Sequence, residues 1–255
     1  MNPRTTMATT LFDLSGKTAV VSGAAQGMGR AMSIALAEAG ASLLLLDLNE
    51  EGAQRTAAEI AAAGGRAIAQ RCDVSEPDQI LAAFAVLDAE YGRIDFLGNV
   101  AGEAVLGKPE EIRLEDVEQV WRNLVFGRFC ACQEAGRRML AAGRGSIVNI
   151  GSLASVTALG RGHIAYSMAM GAVAQMTREL STEWSGQGVR VNAILPAQVL
   201  NPGLEKRIGE SPALAGQFLR GIPAGRFGRP DDIKGLAVLL ATAKLAYDTP
   251  AADER

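Results

Sequence analysis

The sequence predicts an α/β fold, with a single doubly wound parallel sheet between two layers of helices. Apolar runs and helical patterns alternate along the 255 residues, which is the order expected of repeated strand–helix units. The run 42–46, one serine and four leucines, lacks polar alternation, as in a parallel strand covered on both faces. A glycine-rich turn joins the first apolar run to the first helical pattern. Ligands of such a sheet collect at the carboxyl ends of its strands.

Each element is predicted from a local signal. The glycine pair 64–65 ends one helix, and Ser75 with Pro77 begins another. No linker, repeat or low-complexity tract interrupts the series, so we expect one domain over 1–255, with 196–229 as an irregular substrate loop region. The strands are predicted over 17–21, 42–47, 67–71, 94–99, 145–150 and 189–195. The helices are predicted over 30–39, 50–63, 115–140, 165–184 and 231–242, with a further helix beginning at 75–78.

Charge and composition argue against several classes of protein. The net charge is −3 with both signs interspersed, which argues against nucleic acid as a partner. No stretch approaches a membrane span, and the first ten residues lack the apolar segment of a signal peptide. The three cysteines form no C-x-x-C pair, so we expect reduced thiols in a cytoplasmic protein. We find no cluster of metal ligands, and His163 is the only histidine.

The glycine-rich segment 22–29 has the composition of a phosphate-binding turn. Gly23 allows the strand to turn sharply, Gly27 leaves room for a pyrophosphate beside the backbone, and Gly29 lets the helix pack close to the strand. The N-terminus of the helix then offers unpaired N–H groups to the anion. The simplest alternative is a strand–helix turn that binds no ligand.

Asp47 ends the second predicted strand, 18 residues after Gly29. A carboxylate at this point accepts hydrogen bonds from both hydroxyls of an adenosine ribose and repels a 2′-phosphate. The glycine turn contains no basic residue that would pair with such a phosphate. NAD is therefore favoured over NADP, and the alternative is a solvated aspartate at a strand end.

A second group of polar residues follows the later strands. Asn99 ends one predicted strand, Ser152 follows the end of another by two residues, and Tyr166 follows Ser152 by fourteen residues at the start of a helix. A tyrosine on an apolar helix also occurs as a core residue that bonds a backbone carbonyl. His163 titrates near neutrality and is the alternative acid/base, although a loop position at the edge of the substrate pocket is the simpler interpretation.

Together these motifs resemble the short-chain dehydrogenase/reductase family. The resemblance extends from 13–17 to 225–230 and includes Asp73 and Val74, which in that family lie beside the adenine. It implies a Rossmann-type sheet of six or seven strands, a nicotinamide cofactor and hydride transfer at a carbinol carbon. It also implies that Tyr166 is the general acid/base and that Ser152 holds the substrate oxygen. The expected cofactor contacts are Gly23, Gln26, Gly27, Met28, Gly29, Asp47, Leu48, Asp73, Val74, Asn99, Ala101, Gly102, Tyr166 and Pro196.

The chain departs from the family's pattern at several positions. The family has a lysine one helical turn after the tyrosine, where this chain has Met170. A neutral methionine gives the phenol no charge that would favour its ionisation, so we expect slow alcohol oxidation near neutral pH. Asn123 lies one step from the position of a family asparagine, and the last residues lack the motif of a seventh strand, which we expect to be missing. The other departures are Val100, Leu124, Ala197 and Asn201, in place of two asparagines, a glycine and a threonine.

The sequence favours an NAD(H)-dependent oxidoreductase that acts on a small secondary alcohol or ketone, such as a sugar acid or cyclic alcohol. Two alternatives stay open: an NAD-binding pseudo-enzyme or structural subunit, and a lyase or isomerase on the same fold. The helices 115–140 and 165–184 are apolar on more than one face. In the family the matching helices pair across a two-fold axis, which implies a homodimer or homotetramer.

Overall fold

A computed structural model describes residues 11–242. Its centre is one parallel sheet of six strands in the order β3-β2-β1-β4-β5-β6, the Rossmann-type arrangement that the sequence predicts. The order reverses between β1 and β4, so a crevice opens there at the carboxyl ends of the strands. The strands are β1 Thr18–Ser22, β2 Ser42–Asp47, β3 Arg66–Arg71, β4 Phe96–Asn99, β5 Gly145–Ile150 and β6 Val189–Ile194.

Helices cover both faces of the sheet and connect the strands. Short 3₁₀ helices follow β5 and α6 and precede α9, at Leu153–Ser155, Ser185–Gln187 and Pro230–Ile233. The α-helices of the described residues are α1 Gly27–Glu38, α2 Glu50–Ala62, α3 Pro77–Tyr91, α4 Leu114–Trp121, α5 Gly127–Ala141, α6 Ile164–Trp184, α7 Pro202–Glu210, α8 Pro212–Leu219 and α9 Lys234–Ala241.

The core lies on both faces of the sheet because successive strand residues point to opposite sides. Val20 and Val21 are neighbours in β1, yet they belong to two different apolar clusters. Leu44 and Leu45 in β2 divide in the same way. All four side chains are fully buried, which explains why this strand shows no polar alternation in the sequence.

The helix predicted over 115–140 is interrupted in the structure. A π turn, Arg122–Phe126, separates α4 from α5. Directly after it, Gly127 packs against the loop that follows β3, and a Cβ atom at this position would lie 1.9 Å from the carbonyl oxygen of Val74. A π turn holds one more residue than an α turn, so it shifts the helix register while α5 keeps this contact.

Residues 196–229 contain two short helices, α7 and α8, as expected of the loop region. An isolated bridge between Val199 and Gly228 closes this segment at its base. The guanidinium of Arg161 lies 4.5 Å from the ring centre of Phe218, so α8 contacts the loop before α6. The expectation that a seventh strand is missing concerns residues that lie outside the described part of the chain.

Charged side chains join the strands at the amino edge of the sheet, opposite the crevice. The buried Asp95 precedes β4, and its Oδ2 accepts the backbone N–H of Thr18 at 3.0 Å. Lys17 Nζ lies 3.5 Å from Oδ1 of the same carboxylate, and Arg93 pairs with it as well. At this edge the buried charge therefore has oppositely charged partners.

We expect Gly127→Ala to destabilise the protein, because the added methyl group would overlap the Val74 carbonyl. Overpacking of this kind typically costs ~1–3 kcal/mol of unfolding free energy. Gly209→Ala in α7 is the matched control, since nothing lies within 4 Å of its added Cβ and alanine favours a helix by ~0.5–1 kcal/mol over glycine. Urea unfolding measures both variants, and an unchanged midpoint for Gly127→Ala would show that α5 does not need this contact.

Candidate active site

The glycine turn brings β1 and α1 closer together than side chains would permit. Gly23 has φ 73° and donates its N–H to Leu46 O at 2.7 Å, a backbone conformation that favours glycine. A Cβ atom at Gly29 would lie 1.9 Å from Gly23 O, and one at Gly23 would lie 2.9 Å from Ala101 N. Gly27 differs because nothing lies within 4 Å of the position of its Cβ. The turn is therefore tight on the protein side and open at Gly27.

The N-terminus of α1 supplies the donors that an anion needs. The helix begins at Gly27 after Gln26, whose side chain makes no capping hydrogen bond, and its first turn contains no acidic residue. Its first N–H groups have no partner within the helix. The side chain of Met28 packs against one of the core clusters, which fixes the helix on the sheet. These features fit a pyrophosphate over Gly27.

Asp47 is held against the glycine turn. Its Oδ2 accepts the N–H of Ala25 and its Oδ1 accepts the N–H of Asn49, both at 2.9 Å. Among residues 11–242, Asp47 takes part in no ion pair. Leu48 next to it is exposed. The carboxylate thus faces the turn and retains lone pairs for the hydroxyls of a ribose.

Asp73 and Val74 form the loop after β3. Oδ1 of Asp73 accepts both the N–H and the hydroxyl of Ser75, at 2.9 and 2.7 Å. Val74 contacts the start of α5 at Gly127. The loop is therefore fixed on the same side of the crevice as Asp47, which is the last residue of the adjacent strand β2.

The loop after β4 lies against the glycine turn. The Oγ of Ser22 accepts the N–H groups of Val100 and Ala101, at 3.1 and 3.3 Å. Gly102 has φ 139°, and a Cβ atom there would lie 2.2 Å from Cδ2 of Leu124. The backbone of this loop therefore forms the floor of the crevice between β1 and β4.

The side chain of Asn99 does not face the crevice. Its Nδ2 donates to Oδ1 of Asn149 on β5 at 2.9 Å and to Sγ of Cys132 at 3.3 Å. Nδ2 of Asn149 in turn donates to Oγ1 of Thr177 on α6 at 3.0 Å. Asn99 is fully buried in this network, so its influence on a cofactor is exerted through the loop that it anchors.

Burial keeps the thiols of the site neutral. Burial raises the pKa of Cys132 to about 12 and that of Cys72, beside Asp73, to about 11. No disulfide links the three cysteines, and all three are free. The network around Asn99 therefore contains no group that is charged at neutral pH.

Ser152 follows the last residue of β5 by two positions, and its hydroxyl proton is available. Its Oγ accepts the N–H of Ala154 at 3.1 Å, and it caps the 3₁₀ helix Leu153–Ser155. Leu153 N–H donates to the carbonyl of Pro196 at 3.0 Å, which ties the end of β6 to this segment. Within residues 11–242, no acceptor for the Ser152 hydroxyl proton is found, so the group can donate to a substrate oxygen.

Tyr166 lies in the first turn of α6, beside the segment that holds Ser152. Helix α6 packs against the 3₁₀ helix after Ser152, and Tyr166 and Ala154 belong to the same cluster. The Tyr166 side chain is partly exposed, and its hydroxyl has no hydrogen-bond partner in the described chain. The site therefore contains two hydroxyl groups that have bonding capacity left for a ligand.

His163, which precedes α6 as its N-cap residue, and Met170 on α6 flank Tyr166. Nδ1 of His163 lies 2.8 Å from Gly160 O, so Nδ1 carries the proton, and the two rings meet edge to face with centres 6.4 Å apart. Met170 is fully buried among apolar side chains, including Val120. Met170 is thus part of the core.

Two of the departures acquire a structural explanation. Asn123 lies in the π turn, where Oδ1 accepts the N–H of Glu103 at 3.1 Å and Nδ2 donates to Gln119 O at 2.9 Å. The π turn Arg122–Phe126 thus contains Asn123 and ends directly before Gly127. Asn201 caps α7, because its Oδ1 accepts the N–H of Leu204 at 2.9 Å.

Arg128 is a candidate functional residue at the carboxyl edge of the sheet that was not predicted from the sequence. It is the second residue of α5, only 4% exposed, and its guanidinium donates to Ile150 O at the end of β5. It also donates to Ala101 O in the loop after β4, at 3.1 Å. The signal in the sequence is its spacing, because Leu124 and Cys132, four residues away on either side, are buried as well.

Some kinds of site and anchor are not found in the described chain. Over residues 11–242, no group of His, Cys, Asp and Glu side chains could hold a metal ion. A helix with the length and apolarity to cross a bilayer is also not found over the same residues.

Comparison with known proteins places these features among dehydrogenases. Residues 23–250 match a family model described as enoyl-(acyl carrier protein) reductase. The chain is 42% identical over 232 residues to D-threitol dehydrogenase of Mycolicibacterium smegmatis, covering 91% of this chain and 88% of that protein. It is 38% identical over 250 residues to galactitol 2-dehydrogenase (L-tagatose-forming) of Cereibacter sphaeroides, covering 95% of this chain and 94% of that protein.

The fold is also similar to that of a solved structure. The structure of a short-chain type dehydrogenase/reductase from Mycobacterium marinum superposes with a TM-score of 0.86 at 31% sequence identity. The match covers 94% of this chain and 93% of the other. The glycine turn, Ser152 and Tyr166 lie within the residues matched by the family model.

Proposed function

The chain belongs to the short-chain dehydrogenase/reductase family, and from this premise we propose that it is an NAD(H)-dependent oxidoreductase of small secondary alcohols and their ketones. The observation that carries the proposal is the pair of hydroxyl groups, on Ser152 and Tyr166, that keep bonding capacity beside a turn suited to a pyrophosphate. Each group has one role in the reaction, and each role follows from its surroundings.

The cofactor is proposed to lie along the carboxyl edge from β2 to β5. The N-terminus of α1 and the open side of Gly27 would hold its pyrophosphate. Asp47 would accept the ribose hydroxyls, and because a carboxylate repels a 2′-phosphate, it favours NAD over NADP. When bound, a nicotinamide cofactor takes up or supplies the hydride. The remaining proposed contacts are Gln26, Met28, Leu48, Asp73, Val74, Asn99, Ala101, Gly102 and Pro196.

The proton is proposed to move through Tyr166. Oxidation of a secondary alcohol removes a hydride from carbon and a proton from oxygen, and the phenolate of Tyr166 takes that proton. In the opposite direction the phenol returns the proton to the oxygen of the ketone. Ser152 donates its hydroxyl proton to the same substrate oxygen and holds it in place, since the Ser152 Oγ is itself fixed by Ala154 N–H.

A polyol or a sugar-derived alcohol is the proposed substrate class. The relatives described above are named for threitol and galactitol, and both are chains of secondary and primary alcohols. The loop region with α7 and α8 lies next to the segment before α6, as the contact of Arg161 with Phe218 shows. Side chains of these segments would therefore choose among substrates of different length.

One observation favours a second candidate function. The neutral, fully buried Met170 stands where the family's lysine would carry charge. If no other cation stabilises the Tyr166 phenolate, the chain would bind NAD without catalysing a reaction. This NAD-binding pseudo-enzyme shares the glycine turn and Asp47 with the first candidate, and it differs in the chemistry at Tyr166.

We also propose that the protein is a homodimer or homotetramer. Apolar side chains are exposed along the helices that the sequence analysis assigns to an interface: Phe126 in the π turn, Phe129 on α5 and Met168 on α6. Exposed apolar residues that lie together on a surface commonly mark contacts between subunits.

The cofactor preference is tested at Asp47. We expect the wild-type protein to bind NADH at least about tenfold more tightly than NADPH, because the carboxylate repels the 2′-phosphate. Asp47→Ala should narrow that ratio. Calorimetry with both cofactors measures the ratio, and Asp78→Ala is the matched control, because it removes an exposed carboxylate of α3 that is not a proposed cofactor contact and should leave the ratio unchanged. Equal or tighter binding of NADPH by the wild type would refute the assignment.

The proton role is tested by Tyr166→Phe. We expect the wild type to reduce the nicotinamide with at least one member of a panel of tetritols and hexitols, and Tyr166→Phe to lose at least about a hundredfold in kcat. Binding of NADH should be largely retained, since the substitution removes the hydroxyl group of only one of the expected cofactor contacts. Turnover that survives in Tyr166→Phe would assign the proton transfer to another group, and NADH binding without any turnover would favour the pseudo-enzyme.

The assembly is tested by light scattering at micromolar concentration. We expect the mass of two or four chains, because helices α5 and α6 expose apolar side chains. Phe129→Glu should shift the mass towards that of one chain, whereas Leu81→Glu, an exposed apolar residue on α3, should leave it unchanged. A wild-type protein with the mass of a single chain would contradict the proposal.

A further inference from the structure

Arg128 joins the ends of two strands at the floor of the crevice. Its guanidinium donates to three backbone carbonyls, those of Ile150, Val100 and Ala101. Ile150 is the last residue of β5 and precedes Ser152 by two positions. The cation is therefore fixed directly behind the segment that holds the Ser152 hydroxyl.

The charge of Arg128 has no carboxylate partner within residues 11–242. Among the lysines and arginines of that part of the chain, Arg128 is the one that is buried. Arg138 on the same helix pairs with Asp88 at 2.6 Å, and the buried Asp95 pairs with Lys17. Arg128 bonds only to neutral carbonyl groups, and its Nε has no partner. A buried cation without a counter-charge is unfavourable for stability, which points to a role in function.

The packing brings Tyr166 into the neighbourhood of Arg128. Leu124, four residues before Arg128, and Ala154, two residues after Ser152, belong to the same cluster as Tyr166. Burial lowers the pKa of the Arg128 guanidinium to about 10, and the charges of Tyr166 and Cys132 oppose this effect, so the guanidinium remains charged at neutral pH. Because burial raises the pKa of Cys132 to about 12, that thiol stays neutral and offers no counter-charge.

Of the neighbours of Tyr166 described above, none carries a permanent positive charge. Met170 on α6 is neutral, and Ser152 after β5 is neutral. His163, which precedes α6 as its N-cap residue, donates from Nδ1 to Gly160 O. The apolar cluster around Tyr166 includes, from α4 and the π turn, Val117, Val120, Trp121, Leu124 and Val125.

We propose that Arg128 is a positioning residue that supplies, from α5, the positive charge that Met170 does not supply to the Tyr166 phenolate. The positive charge thus comes from α5, whereas the family's lysine would lie on α6, the helix of Tyr166. This inference rests on the proposed function, in which Tyr166 accepts the proton of the alcohol. It implies that the chain retains a competent oxidation site at neutral pH in spite of Met170.

The test separates the charge of Arg128 from its hydrogen bonds. Arg128→Met removes both, whereas Arg128→Lys keeps the charge and loses the fork that bonds two strand ends. We expect both variants to melt at lower temperature. Only Arg128→Met should move the pH profile of alcohol oxidation upward by about one unit or more, with at least a tenfold loss of kcat near pH 7. Ketone reduction, which uses the neutral phenol, should fall less.

A spectroscopic titration tests the same claim without turnover. Tyrosinate absorbs in the near ultraviolet, and subtraction of the matching Tyr166→Phe spectrum isolates Tyr166 from the other two tyrosines of the chain. We expect the ionisation midpoint of Tyr166 to rise in Arg128→Met and to stay near the wild-type value in Arg128→Lys. Arg137→Met is the control, because Arg137 lies on the same helix and is exposed beside Glu134. Circular dichroism at each pH confirms that the variants are folded.

The outcomes distinguish this inference from the proposed function. Equal midpoints in the wild type and Arg128→Met would overturn the inference, and a loss of stability alone would leave Arg128 as a tether between strand ends. A raised midpoint in a protein that oxidises no alcohol would support the inference and refute the proposed function. A rapid wild-type oxidation whose profile is unmoved in Arg128→Met would refute the inference and support the function.

Discussion

The carboxyl edge of the sheet depends on backbone segments that approach each other more closely than Cβ atoms allow. Gly29 lies against the carbonyl of Gly23, Gly23 against the N–H of Ala101, and Gly102 against the side chain of Leu124. These contacts bring the turn after β1, the loop after β4 and the start of the helical segment before α5 into one layer. Nothing lies within 4 Å of the position of a Cβ atom at Gly27. The close packing of the other glycines therefore leaves a concave space at Gly27, on the solvent side of the turn.

Charge is distributed differently at the two edges of the sheet. At the amino edge, Asp95 joins β1 and β4 through Thr18 and has Lys17 as a counter-charge. At the carboxyl edge, the network around Asn99 is neutral, and Arg128 is the buried cation among residues 11–242. The paired charge of Asp95 stabilises the fold at the amino edge. The unpaired charge of Arg128 at the carboxyl edge is suited to interact with a ligand or side chain that ionises nearby.

The sequence was sufficient for the strands and for the glycine turn, because uninterrupted apolar runs and glycine spacing are local signals. The π turn before Gly127 was not predicted, since no residue in it breaks a helix. The burial of Arg128 was not predicted either, because arginine is rarely buried and only the structure shows which carbonyls it meets. The internal orientation of Asn99 depends on β5, a strand distant in sequence.

The most direct test of the account is to follow the hydrogen that leaves the substrate. A polyol that carries deuterium at its secondary carbinol carbons is incubated with the enzyme and NAD, and the reduced cofactor is analysed by mass spectrometry. The account predicts that one deuterium appears in NADH, that turnover is slower than with the unlabelled polyol, and that label transfer is lost in Tyr166→Phe. NADH formed without deuterium, or labelled equally fast by Tyr166→Phe, would contradict the assignment of this edge as a site of hydride and proton transfer.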